Sequence, residues 1–159
     1  MLQRTAPKLP LTPEERKNMR SARLTLKEFA TQDVHRIEQA LQVSAVRARY
    51  LRALAEFQTI PSIGPKVAQG VVSLGYYSLA EIKNEDGADL INRYEALTGY
   101  WNDPCLEDCF RCIVHHANHP ESEKSWFDFT SERKSYREAH GYPATRPSIP
   151  WYEGKKEMI

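Results

Sequence analysis

The chain has no apolar run near the roughly 20 residues that a membrane-spanning helix needs, and Met1-Leu2-Gln3-Arg4-Thr5-Ala6-Pro7 lacks the hydrophobic stretch of a secretory signal. The expected compartment is the cytoplasm, without membrane contact. Cysteine is scarce: there are three in 159 residues, at 105, 109 and 112. An odd number bunched within one expected helix is not a disulfide framework. Period-two alternation of apolar and polar residues is almost absent, which removes strands and leaves an all-α fold. Also missing are a P-loop, a dinucleotide-binding glycine fingerprint, a nucleophile elbow and a metalloprotease helix. The expectation is therefore a non-catalytic protein.

Net charge is also low, at +1, but it is unevenly spread. Residues 1–60 hold eleven Lys and Arg against six acids, 61–129 hold five against eleven, and 130–159 hold six against four. A basic N-terminal part thus precedes an acidic middle.

The length suits one helical domain with a real core. Pro7 and Pro10 with little periodicity make residues 1–11 a flexible arm. Thr12-Pro13-Glu14-Glu15 supplies an N-cap, a proline at the first helical position and a capping-box glutamate. The helical domain is expected over 12–120. Ser78-Leu79-Ala80-Glu81 opens a further helix, Leu90, Ile91, Tyr94 and Leu97 form an apolar face ending at Gly99, and Asp103-Pro104 starts another helix that stops at Asn118-His119-Pro120. Residues 121–159 form a C-terminal extension with a short helix over about 131–140, packed on the core by Trp126, Phe127, Phe129, Trp151 and Tyr152. Trp126, Phe127 and Phe129, with Tyr136 and Tyr142, can pin that extension or stack on unpaired bases. The extension is also the route to a protein partner or a homodimer.

The most informative stretch is Ile60-Pro61-Ser62-Ile63-Gly64-Pro65-Lys66-Val67-Ala68. Tyr50, Leu51, Leu54 and Phe57 upstream, and Val67, Val71 and Leu74 downstream, have helical apolar spacing. Pro61 ends the first helix, Gly64 is suited to positive φ, Pro65 fits the first turn of the second helix, and Gly75 closes it. A tight turn therefore joins two amphipathic helices over about 47–74. The first amides of the second helix lack internal partners and carry the positive end of its dipole, so those near Gly64, Lys66 and Val67 are placed to bind a phosphate oxygen. Lys66 adds a charge, and Arg47, Arg49 and Arg52 on the preceding helix offer more. Backbone contacts of this kind carry no base sequence. The acids Glu81, Glu85, Asp86, Asp89 and Glu95 follow closely.

This stretch resembles the helix-hairpin-helix modules of DNA repair, recombination and ligation proteins, and Leu74-Gly75-Tyr76-Tyr77-Ser78-Leu79 matches a continuation common there. From about Ala55 to Pro120, and more loosely to the C-terminus, the chain is similar to the bacterial pathogenicity-locus family, on Phe57-Gln58-Thr59-Ile60-Pro61, Ala96-Leu97-Thr98-Gly99, Phe110-Arg111-Cys112 and Trp126. The resemblance implies binding of duplex or branched DNA through Ser62, Ile63, Gly64, Pro65, Lys66 and Val67, and a sodium or potassium ion held by the loop carbonyls. One departure stands out: Ser62 replaces the first glycine of the usual Gly-hydrophobic-Gly, and serine accepts positive φ less readily.

Other readings stay open. The hairpin can survive as a fold element in a protein–protein adaptor. Residues 37–51 resemble a helix-turn-helix, with Gln42 in place of the corner glycine and Ser44 capping a recognition helix that presents Ala45, Arg47 and Arg49 to the major groove. Residues 24–74 also read as two hairpin halves, the first degenerate. Lys66 stands where DNA glycosylase/lyases of this superfamily carry a Schiff-base lysine, yet Asn84-Glu85-Asp86-Gly87-Ala88-Asp89 lacks the apolar flanks of their aspartate segment. Cys105, Cys109, Cys112 and His116 share one helix stripe. A straight helix cannot wrap four ligands around a metal, and a buried core stripe has the same spacing.

Overall fold

Among residues 5–157, which the computed structural model describes, the chain forms α1 (Pro13–Ser21), α2 (Val34–Leu41), α3 (Ala45–Phe57), α4 (Pro65–Ser73), α5 (Leu79–Ile82), α6 (Gly87–Thr98), α7 (Pro104–Asn118), α8 (Thr130–His140) and α9 (Trp151–Glu157). Two 3-10 turns, Leu26–Glu28 and Trp126–Phe129, complete it. The described residues are all-helical, apart from a bridge between Trp101 and Pro150. Short polar side chains set most helix starts: Thr12, Asp33, Ser44, Asp86 and Asp103 each accept an amide of the first turn that follows. The expected Thr12–Glu15 capping box is formed.

The chain divides into two units, 1–81 and 82–159. The break falls inside α5, where the sequence reading drew one domain over 12–120. Residues 121 onward fall in the second unit.

In the first unit α1 packs on α2, α2 on α3 and α3 on α4. Phe29, Ile37, Leu41, Leu51, Leu54 and Phe57 are fully buried, each stabilising by about 1.5–3 kcal/mol before conformational entropy is set against it. Ala53, Leu54 and Ala55 are consecutive and all buried, so the middle of α3 is enclosed over more than half its circumference, with Arg52 and Glu56 half-buried on the remaining side. Of the expected flexible arm, residues 1–4 lie outside the described residues, while Pro7 and Leu9 are buried. Lys8 N–H donates to Gln58 Oε1 at 2.9 Å and Gln58 Nε2 returns a bond to the Lys8 carbonyl at 3.0 Å.

In the second unit α7 packs on α6 and on the Trp126–Phe129 turn. Gly87 makes the α6–α7 approach possible, because a Cβ there would stand 2.5 Å from Arg111 Cγ and 2.8 Å from its Cα. Three carboxylates are buried in this unit, each against arginine. Asp108 takes Arg133 Nε at 2.7 Å, Glu107 takes Arg137 Nε at 2.8 Å and Arg111 Nε at 3.0 Å, and Glu95 takes Arg146 Nε at 2.8 Å. The segment after residue 130 is thus held by ion pairs that the sequence reading, looking to aromatics, did not foresee. Rings then cover the guanidinium groups, with Arg137 and Arg146 lying 4.3 and 3.8 Å from the Tyr142 centroid. A further helix, α9, follows at Trp151–Glu157.

Candidate functional site

The turn between α3 and α4 is wound on its own carbonyls. Thr59 N–H donates to Glu56, Ile60 N–H to Phe57 and Ile63 N–H to Ile60. The Ile60 and Ile63 side chains are buried as two pegs, which fixes how the chain leaves α3 and enters α4. Between them Ser62 stands exposed, at φ +69°. It takes the left-handed conformation that a glycine would hold more cheaply, and its hydroxyl donates to the Pro61 carbonyl. Gly64 does not have the positive φ expected of it: its φ is −99° and ψ −176°, extended backbone that any residue adopts. The left-handed step sits two residues earlier because the Ile60–Ile63 bond turns the chain there.

Gly64 contributes in another way. It is the N-cap of α4 and supplies no capping side chain, unlike the caps of α1, α2, α3, α6 and α7; α8 grows directly out of a 3-10 turn. A Cβ on Gly64 would meet nothing within 4 Å, so the space beside it is open. Pro65 has no N–H, and Ala68 N–H closes the first helical bond to the Gly64 carbonyl at 3.1 Å. Among the described residues the N–H groups of Gly64, Lys66 and Val67 have no protein acceptor. Three donors without a protein acceptor therefore stand at the positive end of a helix, and the space beside the Gly64 Cα is open. Lys66 is exposed, Gly64 and Val67 half-buried.

The three arginines of α3 do not converge on this turn. Arg47 bonds Glu15 through Nε at 3.0 Å and Nη2 at 2.9 Å, and its Nη2 also reaches the Pro10 carbonyl at 2.7 Å. Arg52 donates Nε to the Gln32 carbonyl at 2.7 Å and lies 4.0 Å from Glu56. Both are therefore engaged within the protein rather than gathered at the turn. Arg49 is more exposed, stacked 3.9 Å over the Tyr77 ring and 3.8 Å from Glu81. Ile63 is likewise spent, its N–H bonded at 3.2 Å and its side chain buried. The carbonyls of Phe57, Ile60 and Pro61, at and before the turn, accept hydrogen bonds from the chain itself. Sequence reasoning missed Lys8, which the Gln58 bonds bring beside the turn. The signal was Pro7 and Leu9, two apolar residues flanking it in a segment read as loose.

The family described as Cdd1, pathogenicity locus, matches residues 51–135. The chain belongs to that family. The matched span runs from the second half of α3 through the turn, α4, α6 and α7 into α8, so it contains both the open amides and the buried carboxylates. The chain is also 27% identical over 88 residues to the mitomycin resistance protein McrB of Streptomyces lavendulae, across 55% of this chain and 83% of that protein. No solved structure matches it.

The remaining sequence candidates fall elsewhere. At the corner read as the alternative helix-turn-helix, Gln42 is left-handed, at φ 56°, and Ser44 caps α3, but Arg47, one of the three residues that reading presents to the major groove, is held by Glu15. Asp86 caps α6 through Ala88 and Asp89. Cys112 Sγ and His116 Nε2 both meet the Lys124 carbonyl, at 3.7 and 2.8 Å. Burial pushes the Cys109 and Cys112 thiols up to about 12, while Cys105 on the same stripe is exposed. Tyr136 and Tyr142 are stacked on the chain's own arginines, while Phe127 stays exposed.

Proposed function

We propose that this protein binds duplex or branched DNA by its phosphate backbone, without base preference and without catalysis, using the α3–α4 turn as a helix-hairpin-helix. The observation that carries the reading is the trio of open N–H groups at Gly64, Lys66 and Val67, presented by a turn in which Ser62 adopts the left-handed conformation despite the missing glycine. Amides at a helix N-terminus favour an anionic oxygen, and Lys66 adds charge beside them. Arg47 and Arg52 leave the proposed contact set, and Lys8 joins it.

The adaptor reading is favoured by one observation, that two of the expected cations serve the fold. Titration of the purified protein against a fluorescent duplex at two salt concentrations separates the two readings. DNA binding predicts affinity that falls steeply with salt, and Lys66→Glu should weaken it and lower the salt slope by about 1. Binding at no salt concentration, or affinity unchanged by Lys66→Glu, removes the hairpin as a DNA site.

A further inference from the structure

The first unit carries twelve Lys and Arg against seven acids, and the second ten against fourteen. The two units also use their arginines differently. All five arginines of the second unit are in ion pairs: Arg93, Arg111, Arg133, Arg137 and Arg146. In the first unit Arg36, Arg47, Arg49 and Arg52 are engaged. The side chains of Arg16, Lys17, Arg20, Arg23 and Lys27 have no acidic or hydrogen-bonding partner among the described residues, and all five residues are exposed.

These five are not scattered. On α1 the inward side is Glu15, held by Arg47, and Asn18, which donates to the Leu41 carbonyl at 3.0 Å. Arg16, Lys17 and Arg20 fall within about 100° of the opposite side, with Glu14 at its margin. Arg23 and Lys27 continue in the loop that follows. That loop ends at Gln32, whose carbonyl takes Arg52 Nε at 2.7 Å, so its end lies against the half of α3 that leads into the hairpin. No apolar residue is interleaved with the cations of α1, which argues against a membrane surface, where apolar insertion accompanies charge.

We infer that the outer face of α1 and the loop after it form a second DNA-backbone contact strip, one made of side-chain charge, where the hairpin is made of amides. The inference rests on the DNA reading above and extends it to residues outside the family match, which begins at residue 51. Point charges on flexible stems neutralise phosphates without fixing register, and each releases condensed counterions. The hairpin supplies geometry and the strip supplies salt-dependent affinity.

The test compares wild type, Lys66→Glu and a triple variant, Arg16→Gln, Arg20→Gln and Arg23→Asn, on one duplex across a salt series. Asn is chosen at 23 because that residue holds φ 57°. Thermal melts of each protein confirm folding. The strip predicts that the triple variant lowers the slope of log affinity against log salt by about 2.7, and affinity at low salt by roughly tenfold or more. A triple variant indistinguishable from wild type overturns the strip while the hairpin reading stands. A weakened triple variant beside an unaffected Lys66→Glu overturns the hairpin and keeps the strip. Wild type that binds no duplex at any salt overturns both.

Discussion

Arg47 on α3 grips Glu15 on α1 with two nitrogens, at 3.0 and 2.9 Å, while the same guanidinium holds the Pro10 carbonyl at 2.7 Å. One residue thereby ties α1, the segment before it and α3 together. The Glu15 side chain is 8% exposed, so its charge has little water to fall back on. Arg47 holds its carboxyl below the usual glutamate range, chiefly by the side-chain hydrogen bond.

Arg47→Ala should therefore destabilise the first unit by about 2–3 kcal/mol, since it leaves a buried carboxylate unpaired. The pH dependence follows from the depressed folded pKa. The stabilisation is complete above the unfolded glutamate value and is lost as pH falls through the folded one. Urea titrations between pH 7 and 3 should show wild type and Glu15→Gln converging at the acid end. A constant gap across that range would contradict the clamp.

The second unit makes a harsher case, because Asp108 is wholly buried against Arg133 and also accepts the Thr130 hydroxyl at 2.8 Å. Arg133→Met should cost about 3–5 kcal/mol. Pairing it with Asp108→Asn should recover part of that loss, because the stranded charge is gone. If the double variant is as unstable as the sum of the single ones in denaturant titrations, the pair is not coupled.

Thiol chemistry reports on the α7 stripe. Cys105 is exposed, and Cys109 and Cys112 are buried with thiols near 12. A native Ellman titration should find one fast thiol and two that appear only on unfolding. The bond to Asp103 raises the Cys105 pKa, so its rate should climb at higher pH than that of a free cysteine. Two or three fast thiols in the folded protein would show that α7 is not packed as described.

Much of this architecture was legible in local chemistry. Thr12, Asp103 and the Pro–Gly punctuation of the hairpin each act through neighbours a few residues away, so their effects are written in sequence order. The helices and the turn followed from them. What escaped were long-range partnerships: Arg47 with Glu15 across 32 residues, Arg146 with Glu95 across 51, and Gln58 with Lys8 across 50. An arginine on an exposed-looking helix position carries no sign of whether it meets solvent or a carboxylate from another element. Ser62 was legible as a substitution but not as a conformation, because the Ile60–Ile63 bond and two buried pegs impose the left-handed step that serine would not choose alone.

Gly64→Asp tests the amide cradle most directly, because it pushes stability and binding in opposite directions. The site has room for a side chain and an extended N-cap geometry, so the carboxylate would cap the Lys66 and Val67 amides and stabilise α4 by a few tenths of a kcal/mol up to about 1 kcal/mol. The same carboxylate would occupy the donors proposed for phosphate and repel it. Measured together, the melting temperature should be held or raised while duplex affinity falls by roughly tenfold or more. A stabilised variant that binds DNA as tightly as wild type would contradict the account.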